Sequence, residues 1–329
     1  MANGYRKALL ASIAGTIADY RQGEIPTPDA DHVDTWIKQF DAAVQDPMLV
    51  ELDHVLKKTY VARADVQKFI GAIVTASKLA GSNPCDFWKK ANFLNIQGAG
   101  NSQREMLESF EAVLQKTCGL SLGDCGSEDG PHIYLDDVIF TGNRIRNDLI
   151  AWIQSSAPSA AKVHVVVIGF HRGGQWYAST GIEEGAKACG KKVDIRWWHF
   201  IEIEDRKKYI SESDVLRPSS IPDDAAVQAY VQSLKYSPVL RSGNSLGEKK
   251  FFSSDAGRSL LELELLKAGA HIRSICPNLN QYQRPLGNML LQTLGFGALI
   301  VTFRNCANNC PLAFWVDDPW YPLFPRKTN

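Results

Sequence analysis

The sequence predicts an α/β protein with a doubly wound parallel sheet, because short apolar runs alternate with amphipathic segments from about residue 92 to 205. The run 163–168 is apolar apart from His164, which is typical of parallel strands covered on both faces. A chain of 329 residues suffices for two domains, or for one large domain with an appendage. Its 36 basic and 36 acidic residues leave no charge excess of the kind that proteins coating nucleic acids use.

Three segments differ in pattern. Residues 1–90 repeat apolar side chains every three or four positions, which predicts a helical N-terminal cap. Residues 91–205 form the predicted α/β core. Its elements are, in chain order, a strand at 93–97, a helix at 106–114, a strand at 133–135, a helix at 145–153, a strand at 163–168, a helix at 182–189 and a strand at 193–200. Residues 206–329 are less regular and predict a C-terminal extension that packs on the core, with a helix at 260–266 and a strand at 295–303.

Cellular location and cysteine chemistry follow from simpler patterns. No run approaches the ~18 apolar residues of a membrane span, and residues 1–20 lack the apolar stretch of a signal peptide, so we expect a cytoplasmic protein with no membrane partner. Seven cysteines without CxxC spacing predict reduced, mostly buried thiols and no zinc site. The aromatic, proline-rich segment 315–325 is expected to pack against the body or to close a pocket.

One segment has the residue types of a sugar-phosphate site. A buried strand leads to Asp136 and Asp137, and the chain then turns through Thr141 and Gly142 into a helix. Amides at a helix N-terminus favour an anion such as phosphate, and glycine lets the backbone approach it closely. Two carboxylates at the carboxyl end of a parallel strand suit sugar hydroxyls or a hydrated Mg²⁺. The alternative is an ordinary strand-to-helix turn with an N-cap.

This segment, 133–144, resembles the phosphoribosyl-pyrophosphate (PRPP) signature of type I phosphoribosyltransferases. The resemblance implies that Asp136 and Asp137 bind the ribose hydroxyls as the catalytic pair, and that they hold Mg²⁺ indirectly, through those hydroxyls or water. It further implies a 5′-phosphate loop made of Thr141, Gly142, Asn143 and Arg144. An upstream turn is similar to the family's pyrophosphate loop, although Ser102 is equally explained as a plain helix cap; the turn consists of Gly98, Ala99, Gly100, Asn101 and Ser102.

The segment departs from the family in three respects. Arg144 stands where many members have a second hydroxyl residue, and Phe140 stands where some purine enzymes have an acidic residue, so no general base is evident. Ordinary members also insert a flexible hairpin that closes over the reacting ribose and excludes water. Here only segment 118–131 or the aromatic tail is a candidate for that closure. Arg172-Gly173-Gly174, after the strand at 163–168, either faces the same crevice or forms a tight turn.

The C-terminal motifs are similar to those of a phosphoribosyltransferase-like family in bacterial conflict systems, whose members occur beside retron reverse transcriptases; the motifs span 284–287, 308–315 and 322–326. This resemblance implies a toxic effector of antiphage defence that binds PRPP with Mg²⁺ and acts on a nucleotide or nucleic acid. A reverse transcriptase with its DNA–RNA product is then a candidate partner. Two alternatives stay open, a nucleotide-salvage phosphoribosyltransferase and a non-catalytic PRPP or nucleotide sensor that controls a partner. No motif identifies the acceptor substrate of the transfer or the oligomeric state of the protein.

Overall fold

The computed structural model describes residues 3–98, 101–243 and 245–327. By internal contacts the chain forms two units. The sheet unit comprises Ala64–Ile203, and the terminal unit comprises Met1–Arg63 together with Glu204–Asn329. The predicted boundaries after residues 90 and 205 do not coincide with this division, since the helices before residue 90 that follow Arg63 belong with the sheet. The three segments stay a prediction about domain organisation.

The described residues form α-helices and β-strands along the whole chain. The helices are α1 (Asn3–Thr16), α2 (Ala30–Ile37), α3 (Ala42–Thr59), α4 (Arg63–Val74), α5 (Ser77–Ala80), α6 (Pro84–Lys90), α7 (Ser102–Cys118), α8 (Asn143–Ser155), α9 (Arg172–Ala188), α10 (Ala225–Gln232), α11 (Asp255–Ile275) and α12 (Leu312–Trp315). The strands are β1 (Tyr60–Val61), β2 (Asn92–Leu94), β3 (His132–Ile139), β4 (Ala160–His171), β5 (Lys192–Ile203), β6 (Gln283–Arg284), β7 (Gly287–Asn288) and β8 (Val301–Thr302).

The sheet unit is built on a parallel sheet of strands β2, β3, β4 and β5, with one helix of α7, α8 and α9 in each connection. Alternate residues of β4, among them Val163 and Val165, pack in a cluster with Leu149 of α8 and Ala178 of α9. His164 has the opposite orientation, because neighbouring residues of a strand face opposite ways. Its ring contacts Phe87 of α6, with the ring centroids 5.9 Å apart. Helices therefore cover both faces, which confirms a parallel α/β fold.

The strands follow one another across the sheet in chain order. A doubly wound sheet in the strict sense contains a reversal of strand order, and ligands bind at that point. The four strands described for this sheet contain no such reversal. The parallel α/β class is thus confirmed, whereas the type I winding, the N-terminal cap and the C-terminal extension stay predictions.

Strand β3 is longer than its apolar run predicts. Its ladder with β4 continues to the pair Ile139 and Phe170, so the strand passes through the acidic pair and ends at Ile139. Apolar content predicts only 133–135 because the two aspartates interrupt it. The carboxylates therefore lie within the strand, close to its carboxyl end.

The strand predicted at 295–303 is wrong in extent. Only Val301 and Thr302 form a strand, β8, which pairs in parallel with Tyr60 and Val61 of β1. The backbone at Gly295 and Gly297 has φ angles of +137° and +76°, which an extended strand does not accommodate.

The aromatic tail packs within the terminal unit. The ring of Phe324 meets Tyr20 edge-on at 5.2 Å, and Trp320 meets Phe40 at 5.7 Å. The side chains of Leu323 and Phe324 are completely buried. Of the two expectations for this segment, packing against the body is the one the terminal unit shows.

The structure corrects the expectation of seven reduced thiols. Cys85 of α6 and Cys118 at the end of α7 form a disulfide, with Cα atoms 5.4 Å apart. Contact between Trp88 and Phe110, whose ring centroids are 5.0 Å apart, holds the same two helices together. Of the five free thiols only Cys306 and Cys310 are buried, so the expectation of mostly buried thiols holds for these two alone. Among the described residues, no helix has both the length and the apolar character needed to cross a membrane.

We expect the disulfide to stabilise the sheet unit. It joins residues separated by 33 positions. Closing a loop of that length lowers the entropy of the unfolded chain, which raises the free energy of unfolding by roughly 3–4 kcal/mol. The double variant Cys85→Ser, Cys118→Ser should therefore unfold at a lower urea concentration than the oxidised protein. Cys189→Ser, which removes an exposed free thiol, is the matched control. Equal urea midpoints for the double variant and the oxidised protein would contradict the expectation.

Candidate functional site

The acidic pair lies near the carboxyl end of β3. Asp136 is only 5% exposed and lies in register with Val167 of β4, whereas Asp137 is half-buried. The Asp137 amide donates to Asp136 Oδ1 at 2.9 Å, and the Val138 amide donates to Asp137 Oδ1 at 2.6 Å. One carboxylate is thus enclosed by protein, while its neighbour reaches solvent.

Asp136 has an altered proton affinity. Burial raises its pKa to about 7, and the adjacent Asp137 carboxylate adds to the rise. Hydrogen bonds from the Ser102 hydroxyl and the Asp137 amide, and the Arg144 cation, lower the pKa and oppose this rise. Burying a carboxylate costs free energy unless donors or a cation compensate it. The site therefore favours a ligand that brings hydroxyl donors or positive charge to Asp136.

The upstream glycine-rich turn reaches the acidic pair through Ser102. This first residue of α7 lies close enough to Asp136 for its hydroxyl to lower the pKa of that carboxyl group, and its Oγ accepts a hydrogen bond from Gln97 Nε2 at 3.0 Å. Two segments predicted separately thus meet near one carboxylate. Asn101 occupies the N-cap position of α7 without a side-chain cap bond, and Gly98 is exposed. Ala99 and Gly100 lie outside the described residues. A pyrophosphate-binding role for the turn stays a prediction.

Gln103 organises this turn, although the sequence patterns do not single it out. Its side-chain Oε1 accepts hydrogen bonds from the backbone amides of Ile96 and Gln97 at 2.8 and 2.9 Å. Its own backbone amide donates to Gln97 Oε1 at 3.1 Å. The side chain is 1% exposed, and its Nε2 has no hydrogen-bond partner within the described part of the chain. A single glutamine has no periodic signature, so only the fold reveals this reciprocal clamp.

The predicted phosphate loop leads directly into α8. Gly142 is the N-cap residue with φ +79°, and Thr141 Oγ1 accepts a hydrogen bond from the Asn143 amide at 3.4 Å. The first amides of a helix have no acceptor inside it, and the positive end of the helix dipole lies there. Arg144, exposed in this turn, lowers the pKa of both Asp136 and Asp148. The turn therefore suits an anion beside the acidic pair.

Residues 172–174 form the first turn of α9, directly after β4, and not a tight turn. A Cβ atom on Gly174 would lie 1.9 Å from the carbonyl oxygen of Phe140, and one on Gly142 would lie 2.1 Å from the carbonyl oxygen of Gly174. The backbones of the two segments can approach this closely only because both Gly142 and Gly174 lack a side chain. The segment is thus at the same edge of the sheet as the acidic pair, in contact with the phosphate-loop candidate.

The two histidines at this edge make contacts within the protein. His171 is fully buried, its Nδ1 lies 3.0 Å from the Ile139 carbonyl oxygen, and burial lowers its pKa to about 4. It is therefore neutral at pH 7 and connects the ends of β4 and β3. His199 Nε2 lies 3.6 Å from the carboxylate of Glu202, which also accepts a hydrogen bond from Arg172. These contacts give both histidines a structural role.

Segment 118–131 does not close the site, which corrects that expectation. Its Gly126 amide donates to the Lys89 carbonyl at 2.9 Å, and the Asn92 side chain donates to the Ser127 carbonyl at 2.8 Å. These bonds hold the segment where β2 and β3 begin. The acidic pair lies at the other end of β3, so the segment is at the wrong edge of the sheet to cover it.

The donor set of the acidic pair meets the requirements of Mg²⁺ only in part. Within residues 3–98, 101–243 and 245–327, no group of three or more His, Cys, Asp or Glu side chains is arranged to hold a metal ion. Asp136 and Asp137 supply two carboxylates, and Mg²⁺ commonly uses one or two carboxylates together with water and substrate phosphates. A cation would also favour the charged form of Asp136. The pair fits an Mg²⁺ ion that arrives with a phosphorylated ligand.

Comparison with known proteins identifies one family. Residues 33–326, nearly the whole chain, match the PRTase-CE family. No curated protein and no solved structure matches the chain. The matched range includes the parallel sheet, the acidic pair on β3 and the glycine-bounded start of α8. The chain therefore belongs to the PRTase-CE family, a phosphoribosyltransferase-like family.

Proposed function

We propose that the sheet unit binds PRPP with Mg²⁺, or a related ribosyl phosphate, at the carboxyl edge of its strands. One observation carries the proposal: buried Asp136, with its pKa raised to about 7, lies close to the Ser102 hydroxyl at the start of α7 and to the Arg144 cation at the start of α8. A ribosyl phosphate offers hydroxyl donors for the carboxylates and anionic groups for the helix starts.

Each part of the ligand has a matching group. Asp136 and Asp137 accept hydrogen bonds from the ribose 2′- and 3′-hydroxyls. The turn from Thr141 to Arg144 binds the 5′-phosphate, with the helix dipole and the Arg144 cation both favouring the anion. The turn that ends at Ser102 lies on the side of the pyrophosphate. When bound with the substrate, Mg²⁺ neutralises charge on the pyrophosphate.

The reaction that this arrangement supports is displacement at ribose C1′. The bond from C1′ to the pyrophosphate oxygen breaks, its electron pair leaves with pyrophosphate, and a bond to the acceptor forms. The chain contributes by positioning the ribose and by stabilising charge, which supply most of the rate in such transfers. Phe140 beside the predicted phosphate loop has no titratable group, so this position supplies no general base for the acceptor.

For the biological role we propose a toxic effector of retron-type antiphage defence that acts on a nucleotide or nucleic acid. The similarity of the C-terminal motifs supports this role, with a reverse transcriptase and its DNA–RNA product as the partner. Growth of bacteria expressing the wild-type chain or Asp137→Asn tests it. Arrest by the wild type alone is the expected result, and equal growth of the two strains would contradict a toxic activity of this site.

A non-catalytic PRPP or nucleotide sensor is the second candidate. The position of segment 118–131 favours it, because bonds at the opposite edge of the sheet keep this segment away from the acidic pair. Transfer enzymes need water excluded from the reacting ribose, whereas a sensor only has to bind. The two candidates differ in whether bound PRPP releases pyrophosphate.

The test is calorimetric titration of the full chain with PRPP and Mg²⁺, followed by a pyrophosphate-release assay. We expect saturable binding that Asp137→Asn weakens at least about tenfold, because the half-buried carboxylate loses a charged hydrogen bond to ribose while the fold is retained. Glu184→Gln, an exposed change on α9, is the control and should bind normally.

The outcomes separate the candidates. Binding with release supports the transferase, and binding without release supports the sensor. Affinity unchanged in Asp137→Asn would overturn the site assignment, and so would failure of the wild-type chain to bind.

A further inference from the structure

A cavity lies at the amino-terminal edge of the sheet that contains the acidic pair. It is partly open to solvent, has a volume of about 490 Å³, and is lined by the loop before β3 and by the first residues of β3 and β4. His132 opens β3 and lines the cavity, whereas Asp137 lies five residues further along that strand, about 16 Å away at the rise of a β-strand. The cavity is therefore separate from the proposed PRPP site.

The wall of the cavity contains a buried donor without a partner. His164 is 3% exposed, and its Nδ1 accepts a hydrogen bond from Trp198 Nε1 at 3.0 Å. Because an indole nitrogen only donates, this contact places the proton of the neutral imidazole on Nε2. Nε2 has no hydrogen-bond partner among the described residues. Buried donors without a hydrogen-bond partner are uncommon in native structures, so this one requires an explanation.

Charged groups line the cavity on two sides. Lys162 of β4 and Arg196 of β5 provide positive charge from the sheet, and both assist burial in lowering the pKa of His164 to about 4. Asp194 opposes that shift, and its carboxylate lies 3.5 Å from Arg196 Nε. Glu128 and Asp129 provide negative charge from the loop before β3. A ligand with an anionic end and a separate amino group matches this division, whereas a simple anion would meet repulsion from the loop.

An apolar surface completes the lining. Leu79 and Phe87 face the cavity, and the Phe87 ring meets His164 edge-on, with the ring centroids 5.9 Å apart. Such a wall accommodates a flat ring. The volume lies within the range of small-molecule sites and far exceeds that of a phosphate ion.

We propose that this cavity is a second ligand site, which takes a nucleoside monophosphate whose base carries an exocyclic amino group. The phosphate binds Lys162 and Arg196, the base lies against Phe87, and the amino group faces Glu128 and Asp129. The site does not depend on PRPP binding at the acidic pair.

Calorimetric titration of the full chain with AMP, CMP, UMP and inorganic phosphate tests the proposal. We expect AMP or CMP to saturate, and UMP, which lacks the amino group, to bind at least about tenfold more weakly. Lys162→Met and Arg196→Met should each weaken that binding about tenfold or more, since each removes a charged hydrogen bond. Lys192→Met, an exposed lysine at the start of β5 outside the cavity, is the matched control.

Three results would overturn the proposal. The first is no saturation by AMP or CMP below about 5 mM. The second is binding of UMP or phosphate as tight as that of AMP, which would show that Glu128 and Asp129 do not recognise the amino group. The third is loss of AMP binding in Asp137→Asn, because that variant alters the other edge of the sheet and should leave this cavity unchanged.

Discussion

Gly174→Ala is expected to destabilise the sheet unit by about 3 kcal/mol or more, because the new methyl group has no room. Its Cβ would lie 1.9 Å from the Phe140 carbonyl oxygen, which belongs to the backbone and has no alternative rotamer. Relief requires the first turn of α9 to move away from residues 140–142. Gly142→Ala adds backbone strain, since its φ of +79° disfavours a side chain. Both variants should therefore also lose affinity for PRPP.

Urea unfolding followed by circular dichroism measures this effect. Gly71→Ala is the matched control, because Gly71 lies inside α4 and, apart from its own helix, no atom comes within 4 Å of the place a methyl group would take. That change should stabilise the protein by roughly 0.5–1 kcal/mol, the helix-propensity difference between glycine and alanine. If Gly174→Ala unfolds at the same urea concentration as the wild type, the close contact between α9 and the loop is contradicted.

Asp136→Asn is expected to raise stability at alkaline pH while weakening PRPP binding. The folded-state pKa of Asp136, about 7, lies above the unfolded value near 3.9. Its stabilising contribution is therefore complete below about pH 4 and is lost as the pH rises to about 7. Asparagine does not titrate, so the variant avoids that loss. The gain at pH 8.5 is on the order of 3 kcal/mol, with a melting temperature higher by roughly 5 °C.

Melting temperatures of both proteins at pH 5, 6, 7 and 8.5 provide the measurement. The difference should grow between pH 5 and 7 and then stay constant, while groups common to both chains cancel. Glu184→Gln, exposed on α9, should show no such pH-dependent difference. A variant less stable than the wild type at pH 8.5 would show that the carboxylate is compensated in the protein alone. PRPP affinity should fall at least about tenfold, because the ribose loses its charged acceptor.

The sequence predicts most of the residue types and elements that form the candidate site. Two aspartates followed by Thr141 and Gly142 predict a strand, a turn and a helix start, and the structure contains them in that order. Such a site is built from neighbours along the chain, so local residue types are sufficient to locate it. The proximity of Ser102 to Asp136 is only implied by family resemblance, because it depends on how the sheet assembles.

Other features depend on contacts that no local pattern encodes. Gly174 follows a strand like many glycines, and only the distance to Phe140 shows why its side chain must be absent. Cys85 and Cys118 are far apart in sequence and meet because two helices pack through aromatic rings. The apolar run near 295–303 predicts a strand, but its only described partner is the two-residue β1, so the pairing stops after two residues.

The interrupted terminal unit imposes an order on synthesis. The sheet unit is one continuous stretch, so every residue it needs has left the ribosome once position 203 has emerged. Strand β1, by contrast, cannot pair until β8 has been synthesised. Likewise, Tyr20 cannot contact Phe324 until that residue has emerged. Domains generally fold as units during translation, and exposed apolar surface invites aggregation. The first three helices thus wait longest in the nascent chain for their partners from the second part of their unit.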